Sequence, residues 1–420
     1  MKLSSLIMML VLVPSTVTAY TLENLQKLAL EQRQLIKKFQ VQVEKSSEDV
    51  RIARSGYYPS LDLGYSSYAI DEPSQPENDE NSLFSTTLSW ELFSGYADKY
   101  GVDSARKLET VETYRLQAAE QDLQLSVSLS YLAVFNQRAR LQVAEDSYKA
   151  LEGLYLDSKN RFDVGLIDKN TVLKFKVDYD NARLRVKKEE ADLRKALLAL
   201  NRSVNGEIND DELAFREFNQ MPVLGDRVEF ESTMLATRSE LKVLEGLAEA
   251  AELQVSTEYS SYYPSVNLIG RYRNYDDEYI NGSGDVNREE LRAELVLSIN
   301  LFDGFSDEAT IAKAKMDVRA LRYDIVELQN DLLTDLKNLF VDYEVSLENV
   351  EVAKEDISFA EENLRVTELK YREGLQRQLD LLDALSNLSR AQSNYVAVVR
   401  TVFENYFRIT RMVEGFSAGR

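Results

Sequence analysis

The chain of 420 residues contains neither cysteine nor histidine. The lack of cysteine excludes disulfides, thiolate metal sites, thiol nucleophiles and the lipidated cysteine of a lipoprotein. The lack of histidine removes imidazole ligands and the commonest acid–base catalyst. The remaining residues offer no nucleophile, base and orienting group near one another, so we expect no enzyme, no cofactor and no metal site.

Long apolar runs are missing after the first twenty residues. Lys2, the apolar run Leu6 to Val13 and the small residues Val17-Thr18-Ala19 follow the order of an export signal, so residues 1–19 are expected to be a signal peptide. A membrane anchor is the alternative, but the run is well short of the ~20 residues that a spanning helix needs. Any membrane-embedded part of the remaining chain must therefore consist of strands.

Positive charge is also in short supply, since 50 Lys and Arg face 71 Asp and Glu, for a net charge of −21. Binding to a phosphate backbone needs clustered Lys and Arg, so we expect no nucleic-acid partner. The acidity suits a cation-tolerant conduit, or simply the solvated surface of long charged helices.

Three short motifs occur twice, in the same order. They are Tyr57-Tyr58-Pro59-Ser60 and Tyr262-Tyr263-Pro264-Ser265, Leu92-Phe93-Ser94-Gly95 and Leu301-Phe302-Asp303-Gly304, and Arg161-Phe162-Asp163-Val164-Gly165-Leu166 and Lys370-Tyr371-Arg372-Glu373-Gly374-Leu375. The first pair is offset by 205 residues and the others by 209, which indicates a tandem duplication with one four-residue length change. The second and third motifs are equally far apart in both copies. This constancy indicates a rigid element, because a loop would tolerate insertions.

A period of two follows each Tyr-Tyr-Pro-Ser. The apolar members are Leu61, Leu63 and Tyr65, then Phe84, Leu88, Trp90 and Leu92, and in the second copy Leu291, Ala293, Leu295, Leu297, Ile299 and Leu301. Polar or charged residues alternate with them, as in lipid-facing barrel strands, although a small soluble sheet would show the same alternation. The connections Asp71 to Asn81 and Asp276 to Asn287 are acidic and turn-rich, so we expect surface loops there.

A 3-4 hydrophobic spacing runs down the first long helix. Its members are Leu123, Val127, Ser130, Val134, Gln137, Leu141, Ala144, Tyr148, Leu151, Tyr155, Ser158 and Phe162, with a second stripe of Leu125, Leu129, Leu132 and Phe135. Such spacing predicts packing against neighbours on two sides, as in a helical cylinder, with a coiled-coil dimer rod as the alternative.

The domain boundaries follow from these patterns. We predict a first copy at 20–205 with a β-hairpin at 57–93, a long helix at 97–162 and a tip at 163–168, and a second copy at 228–420 with a β-hairpin at 262–302, a long helix at 306–372 and a tip at 373–378, joined by an equatorial linker at 206–227. Single helices are expected before each hairpin, at Leu22 to Ser55 and Val228 to Ser256. Return helices are expected at about Lys169 to Asn205 and Leu379 to Val413.

This order of elements, written twice, resembles the TolC-like outer-membrane efflux proteins over essentially the whole mature chain. The resemblance implies a mainly α fold with a transmembrane β-barrel: tandem-duplicated long-helix hairpins form a trimeric α-barrel tunnel, and two β-hairpins per subunit contribute to a shared 12-stranded barrel. It also implies a homotrimer in outer-membrane lipid with a long periplasmic extension, which serves as the passive exit duct of an efflux pump or type I secretion system. Its partners would be a periplasmic adaptor and an inner-membrane pump.

The resemblance assigns roles to both tips and to the tunnel mouth. Adaptor docking falls to Val164, Gly165 and Leu166 in the first tip and to Gly374 and Leu375 in the second. The periplasmic-mouth constriction falls to Asp380, Asp383 and Tyr371, the two aspartates forming an acidic ring able to hold cations. Good turns and the preference for acidic residues in a helix's first turn explain the same residues without these roles.

The chain departs from the family's closed-mouth latch at two positions. Gln376 stands where the latch has arginine and Thr171 where it has aspartate, while Arg377 could substitute from the next position. The sequence names no substrate and does not separate efflux from secretion. A periplasmic coiled-coil scaffold without a pore is the alternative function.

Overall fold

The computed structural model describes residues 19–72, 80–276 and 289–416, with no side-chain description for residues 80, 81 and 276. The predicted signal peptide therefore lies outside the described residues apart from Ala19. The two predicted surface loops also lie largely outside them.

Long helices and a small sheet make up the described residues. The elements are α1 (Leu22–Gln32), α2 (Gln34–Arg54), β1 (Ser60–Ala69), β2 (Glu80–Ser94), α3 (Ala97–Asp163), α4 (Lys169–Val204), α5 (Arg227–Thr237), α6 (Ser239–Glu258), β3 (Ser265–Asp276), β4 (Glu289–Ser298), α7 (Ser306–Arg372) and α8 (Gln378–Met412). Both α3 and α7 have 67 residues, which at ~1.5 Å per residue is about 100 Å. The mainly α fold class with a small antiparallel sheet is confirmed.

Contacts divide the chain into two compact units. Of the described residues, the tip unit comprises 19–36, 120–234 and 334–416, and the sheet unit comprises 37–72, 80–119, 235–276 and 289–333. Across the part of the chain that the structure describes, no helix is both long enough and apolar enough to cross a membrane.

The sheet has the order β1-β2-β3-β4, with every neighbouring pair antiparallel. The two predicted hairpins thus join through β2 and β3, while β1 and β4 each have one paired side within the chain. Such edge strands present backbone N–H and C=O groups that need a partner.

The predicted alternation breaks down at the ends of two strands. In β2 the pairing shifts between Glu91 and Phe93, so Phe93 rather than Leu92 lies opposite Val266. The extra residue of a β-bulge changes which face the following side chains occupy. β4 ends at Ser298, short of the expected Leu301, because its partner β3 begins at Ser265 after a proline that has no N–H to donate.

Within the tip unit, the heptad line of α3 is covered by neighbouring elements. From Leu123 to Ser158 its residues are buried or half-buried, and Phe162 beside the tip is exposed. In the second stripe Leu132 is buried and Leu125, Leu129 and Phe135 are half-buried. Packing on two sides of α3 is therefore observed.

The stretch 206–227 packs its aromatic rings on α3. Phe215 stacks on the buried Tyr131 at 4.8 Å between ring centroids, and its N–H donates to the Tyr131 hydroxyl at 2.7 Å. That hydroxyl donates to one carboxylate oxygen of Glu217, whose other oxygen accepts the N–H of Leu22. One glutamate thus joins this stretch to both α1 and α3, and burial is the first cause of the raised pKa of Tyr131.

The single helix predicted before each hairpin is wrong in both copies. α1 and α2 are separated at Arg33, and α5 and α6 at Arg238, both of which have an extended ψ. The Arg33 guanidinium donates to the carbonyl of Arg202 at 2.7 Å, and Arg238 forms an ion pair with Glu240 at 2.8 Å. Neither break contains a proline or a glycine, and each occurs at an arginine whose side chain has a partner in the fold.

Candidate functional site

The sheet separates apolar from polar side chains. Register places Leu61 opposite Leu88, Tyr65 opposite Phe84 and, in the second hairpin, Leu268 opposite Leu295. The apolar residues on this face of β1 and β4 are largely exposed in the single chain, Leu291 to 85%. A broad exposed apolar face needs an apolar surrounding.

The opposite face of the sheet is polar and charged. Arg271 lies opposite Arg292, and Arg273 lies opposite Glu290 with 3.9 Å between charged atoms. Arg292 also pairs with Glu290 at 2.6 Å and with Glu294 at 3.3 Å. One face therefore suits lipid and the other suits water, as in a barrel with a hydrated interior.

Both tips are helix ends closed by the same turn. The Gly165 N–H donates to Phe162 O and the Leu166 N–H to Arg161 O, and Gly374 and Leu375 repeat this pattern. These are the two hydrogen bonds of the Schellman motif. The glycines have φ of 78° and 75°, a left-handed conformation that strains a residue with a Cβ.

The apolar residues of the tips are open to solvent. Val164, Leu166 and Leu375 are 70%, 72% and 77% exposed, and a Cβ added at either tip glycine would meet nothing within 4 Å. The glycines therefore serve backbone conformation rather than close packing. The leucines are available for a partner.

The three predicted mouth residues lie at the second tip and have different contacts. Tyr371 is half-buried, its ring edge-to-face with the buried Phe175 and 5.8 Å from the Arg161 guanidinium, and burial raises its pKa. Asp380 accepts the N–H of Arg377 in a capping box and lies 3.4 Å from its guanidinium. Asp383 is exposed.

The departures from the latch also have partners within the chain. The Thr171 carbonyl accepts a hydrogen bond from the Gln378 amide at 2.9 Å, which links the starts of α4 and α8. Arg377, the possible substitute for the missing arginine, is engaged with Asp380.

The family model of outer membrane efflux proteins matches residues 25–206 and again residues 232–413. The chain belongs to this family. The two matches correspond to the two copies seen in the sequence, so the duplication and the resemblance to TolC-like channels are confirmed. The family is one of outer-membrane channels rather than enzymes.

Known proteins similar to this outer membrane efflux protein include one curated relative and several solved structures. Protein CyaE of Bordetella pertussis is 25% identical over 291 residues, which cover 66% of this chain and 59% of CyaE. A membrane protein from Pseudomonas aeruginosa has a TM-score of 0.80 at 15% identity, over 93% of each chain. The open state of the MtrE outer membrane channel of Neisseria gonorrhoeae has a TM-score of 0.76 at 17% identity, over 93% of this chain and 88% of MtrE. These structures establish the fold.

Sequence reasoning missed an aromatic cluster between α3 and α4, which form the first helical hairpin. The rings of Tyr148 and Tyr155 stack on Tyr179 of α4 at 5.2 and 5.6 Å, and the Lys176 ammonium lies 4.9 Å from the Tyr179 centroid. The hydrogen bond with the Tyr148 hydroxyl, followed by burial, raises the pKa of Tyr179 to about 12. Both α3 tyrosines belonged to the predicted heptad line, but nothing in that line pointed to their α4 partners.

Proposed function

We propose that three copies of this chain form the outer-membrane exit duct of an efflux pump or type I secretion system. The observation that carries the proposal is the open sheet with one exposed apolar face, on a chain whose other elements are mostly long helices. Lipid accepts the apolar face and an aqueous pore accepts the charged one.

The trimer follows from the edges of the sheet. β1 and β4 each need a partner, because unpaired backbone groups are costly in lipid. Three chains of four strands supply twelve, enough for a barrel wider than the roughly eight-stranded kind whose interior is filled by side chains. In this arrangement β1 of one copy pairs with β4 of the next.

The tips dock a periplasmic adaptor. Their exposed leucines offer apolar side chains, and the Schellman turns hold them in fixed positions. Both glycines end helices of the same length, which supports tips at one level. The inner-membrane pump supplies the energy, and the duct itself is passive.

The mouth of the duct lies at the start of α8. Asp380 and Asp383 are three residues apart and share one helix face, so threefold symmetry brings six carboxylates together. Such a ring holds cations. The capping contact with Arg377 orients Asp380 and leaves its carboxylate partly accessible.

The test is to purify the mature protein from outer membranes in mild detergent and to measure its mass, the heat-modifiability of its barrel and its conductance in planar bilayers. We expect a trimer, a heat-modifiable band and discrete single-channel steps. A monomer with an intact barrel, or a trimer that conducts no ions under any condition that opens related channels, would contradict the proposal.

A further inference from the structure

We propose that a cavity between the end of α2 and the start of α3 binds the phosphate headgroup of an anionic phospholipid. The inference rests on the proposed outer-membrane duct, to which it adds a lipid site. Both walls of the cavity belong to the sheet unit of a single chain, so each copy holds a complete site.

The cavity is small and its lining is basic. Its volume is about 440 Å³, which is in the range of sites for small ligands. Three cations line it, Arg54, Lys99 and Arg106, against one carboxylate, that of Asp103. This excess of positive charge stands out in a chain whose net charge is −21. Clustered Lys and Arg of this kind attract phosphate groups.

The geometry of the two helices brings these cations together. Lys99, Asp103 and Arg106 stand at i, i+4 and i+7 of α3 and therefore share one helix face. Arg54 comes from the opposite wall, as the last residue of α2.

The contacts of the three cations leave room for a ligand. Arg106 donates one hydrogen bond to Asp103 at 3.0 Å, which orients the guanidinium and leaves its other N–H donors for a phosphate. The Lys99 ammonium lies 5.3 Å from the ring of Tyr100. Among the residues that the structure describes, neither Arg54 nor Lys99 has a carboxylate at ion-pair distance, and both are exposed.

The position of the cavity indicates a lipid rather than a dissolved anion. It lies just beyond the end of the sheet, because β1 begins at Ser60 and β2 ends at Ser94. The indole N–H of Trp90 donates to the carbonyl of Tyr57 at 3.1 Å, which ties the cavity wall to β2. Tyrosine and tryptophan are typical of the level where hydrocarbon gives way to headgroups.

An apolar path leads from the cavity along the sheet. Trp90 lies opposite Leu268, and Leu61 near the start of β1 is 64% exposed on the same apolar face. Tyr58, which lines the cavity, is 71% exposed. Acyl chains can thus cover the apolar face while the phosphate enters the cavity.

The second copy of the duplicated chain lacks the same set of cations. Tyr259, Glu308 and Lys315 stand at the positions that correspond to Arg54, Lys99 and Arg106. The Lys315 ammonium donates to the hydroxyl of Tyr259 at 2.7 Å. Both copies keep the Tyr-Tyr-Pro-Ser motif, so the motif belongs to the shared fold. The cations belong to the first copy alone, which favours a ligand over a general requirement of the helix–strand junction.

The charge of the cavity also predicts which headgroups it prefers. Guanidinium groups donate two parallel hydrogen bonds to phosphate oxygens. A zwitterionic headgroup carries an ammonium or trimethylammonium group as well, which the three cations repel. We therefore expect selectivity for phosphatidylglycerol over phosphatidylcholine.

The test is a lipid titration of the purified protein in mild detergent, with bound lipids counted by native mass spectrometry. We expect one phosphatidylglycerol per chain, weaker binding of phosphatidylcholine, and loss of the difference at high salt. The combined variant Arg54→Gln, Lys99→Gln and Arg106→Gln should raise the Kd by roughly 100-fold, because each Lys or Arg near the surface contributes roughly a fivefold gain in affinity. Circular dichroism checks that this variant is folded.

Lys315→Gln is the matched control, since Lys315 corresponds to Arg106, and it should bind phosphatidylglycerol as the unaltered protein does. Competition by inorganic phosphate or glycerol phosphate at the same concentration as the lipid would assign the cavity to a dissolved anion and overturn the lipid site. Equal binding by the combined variant, or equal binding of the two lipids, would overturn it as well. A conducting trimer without lipid selectivity would overturn this inference alone, whereas a monomer that conducts no ions would contradict the proposed function.

Discussion

The first and second tip hairpins share a backbone and differ in the side chains that surround it. Each has a 67-residue helix, a glycine of φ 75–78° and a Schellman turn. The first hairpin joins its helices through stacked tyrosines and Lys176. At the corresponding positions the second hairpin has Ile357, Leu364, Leu388 and Leu385.

The starts of the return helices differ in the same way. α4 has Asp168 as its N-cap, followed by Thr171 and Lys174, whereas α8 has Arg377 as its N-cap, followed by Asp380 and Asp383. The Schellman turn sets the backbone conformation of each tip. The side chains around the turn differ between the two copies. The duplicated scaffold thus carries different side-chain chemistry at the starts of its two return helices.

The largest expected effect tests whether the shared turn gives both tips the same role. Gly165→Val and Gly374→Val should each abolish export while the protein still reaches the outer membrane, because a β-branched residue strains the left-handed turn. Export by the native host, compared with a deletion strain, is the measurement, alongside outer-membrane fractionation.

Gly153→Val is the matched control, since Gly153 lies inside α3 with open space around it. It should export nearly as well as the unaltered protein. Normal export by both tip variants would contradict docking at the tips, and loss in only one would show that the tips are not equivalent.

Packing behind the two tips offers the next comparison. Phe175 of α4 and Ala384 of α8 are equivalent and buried. Phe175→Ala should lower the free energy of unfolding by about 3–5 kcal/mol through cavity formation. Ala384→Phe should lower it by about 1–3 kcal/mol through overpacking. Unfolding in detergent, followed by circular dichroism, measures both, and no loss for Ala384→Phe would reveal unfilled space in the second hairpin.

The charge difference at the return helices predicts an effect on cation block. Asp380→Asn with Asp383→Asn should raise the blocking concentration of a di- or trivalent cation by on the order of tenfold or more, equal to ~1.4 kcal/mol of lost binding. Unblocked conductance should change little. Planar bilayers at low ionic strength, with the cation on the periplasmic side, limit screening.

Lys174→Gln serves as the control, because Lys174 stands in α4 where Asp383 stands in α8. It should leave the block unchanged. Equal block in the double asparagine variant and the unaltered protein would show that both aspartates are ordinary first-turn residues without a role in cation binding.

The smallest expected effect concerns alkaline pH. The fold raises the pKa of Tyr179 to about 12 from a usual value of 10, so it favours the neutral phenol. Stability from this group is complete below pH 10 and falls as the pH rises from 10 towards 12. Over that pH range the midpoint of thermal unfolding should fall less for Tyr179→Phe than for the unaltered protein. An identical fall would show that the hydroxyl contact does not contribute to the stability of the first helical hairpin.

Patterns among residues that are close in the sequence predicted much of the fold. The tip glycines, the constant spacing between motifs and the apolar–polar alternation depend on residues close in sequence, and the helices, turns and sheet faces followed from them. The strand ends depended on where a partner strand begins, and neither Ser298 nor Leu92 carries that information alone.

Features that depend on distant partners were not predictable in the same way. Arg33 and Arg238 lie among good helix formers, and their contacts become visible only in the folded chain. Tyr179 meets Tyr148 across the α3–α4 hairpin, and the two residues are far apart in the sequence. An alignment of the two copies would have shown that the second copy has aliphatic residues at these positions. For Asp380 the sequence offered both a first-turn residue and a mouth residue; the capping box is observed, and the ring stays a prediction.

The paired helix breaks at Arg33 and Arg238 have an evolutionary consequence. They are 205 residues apart, the offset of the Tyr-Tyr-Pro-Ser motifs rather than that of the tips. The interruption therefore predates the duplication, and the four-residue length difference lies beyond it, in the β-hairpin. Where sequence identity between copies has decayed, a shared backbone irregularity remains a fixed point for aligning them.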